Sequence, residues 1–447
     1  MRHHPVLSTI GTMLIVATLT AACSATGDRP TVTSSSAPRP SGPLPTLSAP
    51  PTATRPASPD PGPLELTAAR ASLRPPHGGS FRVRGTYPWR PSRCVHPERP
   101  TLDGRYPGTL AIRTADDGTL TVSVTLTFEA YLEGIAEVPP TWPTAALEAQ
   151  AIAARSYVLS TTGWAGEEGA ALETPICGTS SCQVYGGIPM PRPPGLRRWY
   201  AAVHATTGQV LRYGDRPADT VYFSTSNGRT YGNEDVFGSS PLPYLRPVVE
   251  RDDGASPLAH WRIALPLRDL ETVLSAAGSW PNGTPITSAS VTGSSVTLAG
   301  GGQSRTIDAS SLRDAVNTWA PCLLPRRYPT EGLPVTIPSG WFTVTADGHG
   351  LVVEGRGWGH GVGMVQWGAY GKAAKGWSAS KILAFYYGGL TPRPYPEPGT
   401  IDVIVATGLR SLTVEPSRAG ATLDGQPLPK GTLHVSGGDE VTVTTSG

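Results

Sequence analysis

Residues 145–159, AALEAQAIAARSYVL, form the clearest helical pattern in the 447-residue sequence. An apolar stripe with helical spacing runs through it, at Leu147, Ala151, Ala154 and Val158. Thr144 stands just before the pattern and is expected to be the N-cap. Six of the 15 residues are alanine, so neighbouring backbones can come close. The stretch predicts a helix packed tightly against its surroundings.

Strand patterns lie on both sides of this helix. Residues 80–126 alternate apolar and polar side chains between Gly, Pro and Asp-Gly turns, which predicts hairpins. Residues 200–250 and 285–350 are also strand-rich, with helices predicted at 267–276, 310–319 and 378–387. Strands predicted at 401–405 and 441–444 belong to a small all-β C-terminal region. The fold class is therefore α+β, with mixed β-sheets and a few packed helices.

Composition narrows the class of protein. The 52 glycines and 47 prolines make about 22% of the chain. Only 16% of residues are charged, below the usual ~25%, and the net charge is +2. No Lys- or Arg-rich block occurs, so we expect no nucleic-acid partner. These values describe a loop-rich, weakly charged protein that works outside the cytosol.

The first 23 residues predict export. Arg2 precedes a short apolar run at 10–22, and Cys23 follows Ala21 and Ala22 as in a bacterial lipobox. The run is shorter than the ~20 residues of a membrane-spanning helix. We expect lipidation of Cys23 to anchor the protein at the outer face of the cytoplasmic membrane, its only membrane contact. Simple secretion is the alternative.

Residues 24–75 are predicted to form a disordered tether rich in Pro, Ser and Thr. Between residues 30 and 63, 11 of 34 residues are proline. Such a segment cannot bury enough apolar area to offset its conformational entropy. At ~3.1 Å per residue it spans on the order of 100 Å. A plain spacer explains the composition equally well.

The other four cysteines favour disulfides, because their number is even and export is predicted. They are Cys94, Cys177, Cys182 and Cys322. Cys177 and Cys182 enclose a short loop that can close on itself, which leaves Cys94 to pair with Cys322. Zinc at Cys177 and Cys182 is the alternative, but no histidine lies between His96 and His204 to complete the ligands. We therefore expect no cofactor and no metal.

Residues 355–364, GRGWGHGVGM, carry glycine at every second position. On an extended strand this spacing places the glycines on one face and Arg356, Trp358 and His360 on the other. A bare glycine face lets another backbone or a flat ligand approach closely. Tight packing alone would also explain it, but the polar and aromatic run from Gln366 to Tyr370 favours a site.

Glu137 is the candidate general acid. It lies between the sequences GIA and VPP, and an apolar, rigid turn disfavours the charged form of a carboxyl, as a general acid requires. Glu129 and Glu133, just before it, are expected to face solvent. From the helix, Gln150 and Arg155 could point to the same cleft. Structural pairing is the alternative for Arg155.

Several collinear segments resemble the SpoIID/LytB family. They are residues 131–157 (YLEG to AQAIAARSY), 182–187 (CQVYGG), 222–229 (YFSTSNGR), 243–246 (PYLR), 355–371 (GRGWGHGVGMVQWGAYG) and 382–387 (ILAFYY). The resemblance covers about residues 125–390. It implies a two-lobed SpoIID-like domain over 76–392, followed by the small β-rich region 393–447.

The resemblance also implies a function on peptidoglycan. Sporulation members of the family are lytic transglycosylases acting on glycan strands, whereas the LytB branch is linked to enhancement of a cell-wall amidase. The family's catalytic glutamate falls on Glu137, which would act as acid and then as base to close a 1,6-anhydro ring. The expected substrate-binding residues are Gln150, Arg155, Tyr157, Gln183, Tyr185, Ser224, Ser226, Asn227, Arg229, Glu234, Arg356, Trp358, His360 and Gln366. The alternatives are a non-catalytic wall-binding enhancer of an N-acetylmuramoyl-L-alanine amidase and a structural scaffold.

Overall fold

The computed structural model describes residues 65–86, 101–188, 193–329, 336–428 and 431–445. The predicted signal segment with Cys23, most of the predicted tether and Cys94 lie outside the described residues. Within the described residues, no helix has the length and apolar composition needed to cross a membrane.

The predicted helices are confirmed within a few residues. Those of the described residues are α1 (Phe128–Glu133), α2 (Thr144–Thr161), α3 (Arg197–Ala205), α4 (Asn233–Phe237), α5 (Leu267–Ala276), α6 (Ala309–Leu323), α7 (Gln366–Ala374) and α8 (Ala379–Tyr386), with a 3₁₀ turn at Pro194–Leu196. The capping prediction for α2 is wrong. Pro143 is the N-cap and Thr144 is the first helical residue, because the fixed backbone of proline starts the helix there.

Short strands account for most of the remaining regular structure. In chain order they are β1 (Glu65–Ala68), β2 (Arg70–Arg74), β3 (Phe81–Thr86), β4 (Thr101–Tyr106), β5 (Thr109–Thr114), β6 (Leu120–Thr127), β7 (Ala171–Cys177), β8 (Gln209–Val210), β9 (Arg212–Tyr213), β10 (Arg216–Pro217), β11 (Tyr222–Phe223), β12 (Trp261–Pro266), β13 (Ser288–Thr292), β14 (Ser295–Gly300), β15 (Gln303–Asp308), β16 (Phe342–Ala346), β17 (Gly350–Gly355), β18 (Met364–Val365), β19 (Arg393–Pro394), β20 (Thr400–Leu409), β21 (Ser411–Pro416), β22 (Thr422–Leu423), β23 (Gln426–Pro427), β24 (Leu433–Ser436) and β25 (Val441–Thr445).

Two large sheets join both ends of the described chain. One has the order β1-β25-β24-β21-β3-β4 and the other β23-β22-β2-β5-β6-β20-β7. The hairpins predicted within residues 80–126 are confirmed, since β3 pairs with β4 and β5 with β6, both antiparallel. The C-terminal region is all β, as expected. Apart from β19, which pairs with β8, its strands are members of these two sheets, and several pair with N-terminal strands.

Three hydrophobic clusters form the core. The first lies between the two large sheets and one side of α2, the second holds residues 261–353 with α5 and α6, and the third packs the other side of α2 against α7 and α8. Helix α2 is buried on all sides because its alanines leave room for neighbours on every face. The α+β class is confirmed, and α2 is the scaffold on which the candidate site is built.

Candidate active site around Glu137

The loop that carries Glu137 is tied to the segment after Cys182 by backbone hydrogen bonds. Ala136 donates its N–H to the Val184 carbonyl at 2.9 Å, and Gly186 donates to the Gly134 carbonyl at 2.9 Å. Only glycine fits at 134, because a Cβ there would lie 2.2 Å from the Tyr185 ring. The two loops therefore form one rigid unit.

The Glu137 carboxylate is half-buried and accepts a hydrogen bond. Its Oε1 receives the Val184 N–H at 2.7 Å. Burial, and after it the nearby Glu137 charge, raise the pKa of Tyr131 and of Tyr222 well above the usual value. Burial raises the pKa of Tyr157 too, with a smaller contribution from Glu137. The carboxylate thus lies among phenols and a backbone N–H, a more polar setting than the apolar turn that the sequence predicted.

Gln183 links these groups. Its side chain is fully buried, and its Oε1 accepts the Tyr131 hydroxyl at 2.5 Å. Its Nε2 donates to the Ala154 carbonyl at 3.1 Å and to the Tyr222 hydroxyl at 3.0 Å. One amide therefore connects α1, α2 and β11 next to the residue that binds Glu137.

A disulfide closes the loop directly before Gln183. Cys177 and Cys182 are bonded, with their Cα atoms 5.6 Å apart. Both sulfurs are used in that bond, so neither is available as a zinc ligand. Cys322 is also disulfide-bonded, but Cys94 lies outside the described residues and its pairing stays a prediction.

An aromatic cluster adjoins the Glu137 loop. Trp142, at the end of that loop, lies 4.9 Å from the ring of Trp367 and 5.2 Å from the ring of Tyr370. Beside it, Gln366 of α7 donates to Gln150 of α2 at 3.3 Å, and both side chains are buried. Sequence reasoning assigned no role to Trp142, although its place five residues after Glu137 was a usable signal.

Arg155 and Tyr185 are held inside the protein rather than at a cleft. Arg155 is fully buried, forms an ion pair with Glu397 and donates to Thr206 Oγ1 at 3.0 Å. Tyr185 is fully buried and stacks on Tyr131 with centroids 5.7 Å apart. Their contacts position α2 and the 182–187 loop, and neither residue has a polar group directed at the surface.

The expectation that Glu133 faces solvent is wrong. Its side chain is 1% exposed, and its Oε1 is 2.9 Å from Nε2 of His204. Glu129, one helical turn earlier, lies 3.1 Å from Nδ1 of the same ring and 3.7 Å from the Arg155 guanidinium. Nothing in the sequence predicts this arrangement, because His204 is on α3, about 70 residues farther along the chain.

Residues 356–363 are a loop rather than the extended strand predicted. Strand β17 ends at Gly355, and Gly357, Gly359, Gly361 and Gly363 all have positive φ, between 73° and 110°. The predicted close approach does occur. A Cβ at 357 would lie 2.5 Å from the Thr225 carbonyl oxygen, and one at 363 would lie 2.0 Å from that of Val221. The loop therefore follows the backbone of the 221–231 segment.

His360 fixes this loop to Tyr222. Its Nε2 lies 3.0 Å from the Tyr222 carbonyl and must donate, whereas Nδ1 accepts the Val362 N–H at 3.1 Å. Burial lowers the pKa of His360 to about 4. The imidazole is therefore neutral at pH 7 and supports the strand whose phenol reaches Gln183.

The other expected binding residues lie along the same two segments. Ser224 contacts Thr225 Oγ1 at 3.1 Å, and Ser226 donates to Asp253 at 2.7 Å. Trp358 exchanges two backbone hydrogen bonds with Thr225. Asp253 is a partner that sequence reasoning missed, because nothing marks it among the neighbouring acidic residues.

Three further predicted residues lie farther along. Asn227 donates to the Tyr231 hydroxyl at 2.7 Å, and the exposed Arg229 lies 5.1 Å from the same ring. Glu234 forms a bidentate ion pair with Arg246, in which the two guanidinium nitrogens lie 2.5 Å and 2.6 Å from the two carboxylate oxygens. Arg356 lines a separate pocket. No cluster of three or more His, Cys, Asp or Glu suited to a metal occurs among the residues described.

Comparison with known proteins identifies the family. A family model described as Stage II sporulation protein matches residues 116–213, which include Glu137, Gln150 and Gln183. The chain is 29% identical over 284 residues to Stage II sporulation protein D of Bacillus subtilis (strain 168), covering 58% of this chain and 73% of that protein. It is 30% identical over 295 residues to an uncharacterized protein of Brachyspira hyodysenteriae, and the match covers 65% of this chain and 73% of that protein. The chain belongs to the SpoIID/LytB family.

A second branch of the SpoIID/LytB family is similar too. The chain is 28% identical over 300 residues to the amidase enhancer of Bacillus subtilis (strain 168). The match covers 58% of this chain but spans only 39% of the enhancer's length.

Proposed function

We propose that this chain is an exported peptidoglycan-binding protein that cleaves glycan strands after N-acetylmuramic acid, as a lytic transglycosylase. The observation that carries the proposal is the Glu137 carboxylate, which accepts the Val184 N–H at 2.7 Å beside Tyr131 and Tyr222. Membership of the SpoIID/LytB family supports a peptidoglycan substrate. The sequence of the first 23 residues supports export and a lipid anchor at Cys23.

A single carboxyl suffices for this reaction, unlike the paired carboxyls of most glycosidases. The protonated Glu137 gives its proton to the glycosidic oxygen, and the bond from that oxygen to C1 of N-acetylmuramic acid breaks. The resulting carboxylate takes the proton of the C6 hydroxyl on the same sugar, whose oxygen bonds to C1. The product is a 1,6-anhydro end, no water is consumed, and Glu137 regains its proton.

The surrounding residues suit a sugar polymer. Trp367 and Tyr370 are half-buried, pack against the buried Trp142 and have polar-edged aromatic rings of the kind that stack on sugars. Nε2 of Gln150, which is buried next to this cluster, has no hydrogen-bond partner among the described residues. Gln183 and His360 hold the phenol of Tyr222 in place.

The test incubates the purified protein with denuded and with peptide-bearing glycan strands and measures anhydro-sugar ends by mass spectrometry. We expect product from the wild type and none from Glu137→Gln. The matched control is Glu173→Gln, because Glu173 is an exposed glutamate on β7. Product that persists unchanged in Glu137→Gln would rule out the assignment.

The similarity to an amidase enhancer favours a second candidate function, non-catalytic enhancement of an N-acetylmuramoyl-L-alanine amidase. This function predicts glycan binding without anhydro product. It also predicts faster amide cleavage when the protein is added to such an amidase, in the wild type and in Glu137→Gln alike. The same two proteins in the two assays therefore separate the candidates.

A further inference from the structure

An open pocket of about 670 Å³ lies beside the second hydrophobic cluster. Its lining includes no residue from the Glu137 loop or from the Cys177–Cys182 segment. The volume is in the ~300–1,000 Å³ range of small-molecule sites. Of the predicted binding residues, Arg356 lines it.

The floor of the pocket is aromatic and rigid. Trp261 on β12 and Phe342 on β16 both pair with Gly355 on the strand between them. A Cβ at 355 would lie 2.3 Å from the Trp261 ring, so glycine lets the indole lie across the sheet. The Trp261 N–H donates to the Gly357 carbonyl at 2.9 Å, which fixes the ring.

The wall of the pocket carries donors that the protein does not use. Trp341 stacks on Tyr231 with centroids 5.6 Å apart, and its indole N–H bonds to none of the described residues. The Arg356 guanidinium also forms neither a hydrogen bond nor an ion pair with any residue that the structure describes. Arg262, by contrast, is neutralised by Glu354 at the rim. The pocket therefore combines aromatic surfaces with one uncompensated positive charge.

We propose that this pocket binds a carboxylate-bearing sugar of a glycan strand. The aromatic rings lie against the sugar, the Arg356 guanidinium binds the carboxylate, and the Trp341 N–H binds a further oxygen. The source of the sugar rests on the proposed function, because N-acetylmuramic acid carries a lactyl carboxylate.

The pocket is also connected to the candidate active site. Arg356 begins the loop whose His360 donates to the Tyr222 carbonyl, and the Tyr222 hydroxyl binds Gln183. A glycan strand bound in the pocket would therefore contact the loop that also supports the hydrogen-bond network beside Glu137. The second site adds affinity for the acidic sugars of the strand.

The test measures binding by calorimetry in Glu137→Gln protein, so that the ligand is not consumed. The probes are a peptide-free tetrasaccharide of alternating N-acetylglucosamine and N-acetylmuramic acid, and neutral chitotetraose. We expect the acidic ligand to bind roughly fivefold more tightly. Adding Arg356→Gln should remove that preference while leaving chitotetraose binding unchanged. Arg113→Gln, at an exposed arginine on β5, is the matched control and should change neither.

Three results would overturn the proposal: equal binding of both sugars, a preference that persists in Arg356→Gln, or equally tight binding of a stem peptide alone. The cleavage assay keeps the two proposals apart. If the protein forms anhydro product but shows no Arg356-dependent preference for the acidic sugar, only the pocket proposal is refuted. If it shows that preference but forms no anhydro product, only the transglycosylase proposal is refuted.

Discussion

At the scale of single residues, Gln183 is the side chain on which the network beside Glu137 depends. Replacing it by leucine removes three hydrogen bonds and leaves the Tyr131 hydroxyl and the Ala154 carbonyl buried without that partner. We expect Gln183→Leu to lower the free energy of unfolding by about 3 kcal/mol. Urea denaturation measures the change.

The control is Gln303→Leu, at an exposed glutamine on β15, where a change within about 0.5 kcal/mol is expected. If the two variants lose equal stability, the network does not contribute as the geometry indicates.

The buried His360 makes stability depend on pH. Its pKa of about 4 in the folded protein lies below the ordinary histidine value of 6.5, so between these values the unfolded chain binds a proton that the folded protein does not. The free energy of unfolding therefore falls as the pH falls through this window, and no further below it. Between pH 7 and 4.5 the loss is about 2 kcal/mol, since the ring is partly exposed.

His360→Gln keeps a donor and an acceptor but does not titrate. Chemical denaturation at the two pH values should show a shallower pH dependence in the variant than in the wild type. Identical pH profiles would contradict the role of this ring.

At the scale of elements, the loop of residues 356–363 depends on glycine for two separate reasons. Gly363 has φ +77°, and a Cβ there would lie 2.0 Å from the Val221 carbonyl oxygen. Gly376, after α7, has φ +81° but nothing within 4 Å. Gly376→Ala should cost only the backbone strain, about 1 kcal/mol. Gly363→Ala should cost about 3 kcal/mol or more, because the loop must also move from the 221–231 segment. Equal costs in thermal or urea unfolding would show that the close approach contributes nothing.

How far the sequence predicts an element depends on where its determinants lie. The bounds of α5 were predicted correctly because its apolar period is local. The glycine run was predicted as a strand and is a loop, since alternate glycines permit positive φ and the choice is made by contact with a distant segment. The same holds for the site. The sequence predicts roles for Glu137 and Gln183, but it does not predict the hydrogen bonds of Gln183 to Tyr131 and Tyr222, because these residues are far apart in sequence.

At the scale of the whole molecule, the C-terminal strands complete the N-terminal sheets. β25 pairs with β1, β21 pairs with β3, and β20 lies between β6 and β7. The first cluster accordingly contains Phe81 and Val83 together with Val435 and Val443. The strands β20 to β25 should therefore unfold together with the sheet that supports α1 and the Glu137 loop.

Alternate positions of β25 test this coupling. Val443 is fully buried, whereas its neighbour Thr442 is half-buried and on the opposite face. A carboxylate at 443 is buried without a partner, so we expect Val443→Asp to cost more than about 3 kcal/mol and Thr442→Asp less than about 1 kcal/mol. All 11 tryptophans precede residue 393, so tryptophan fluorescence reports only on the rest of the chain. If the C-terminal strands belong to the common core, Val443→Asp lowers the urea midpoint detected by tryptophan fluorescence. If instead the midpoint equals that of Thr442→Asp, the C-terminal strands are an independent unit.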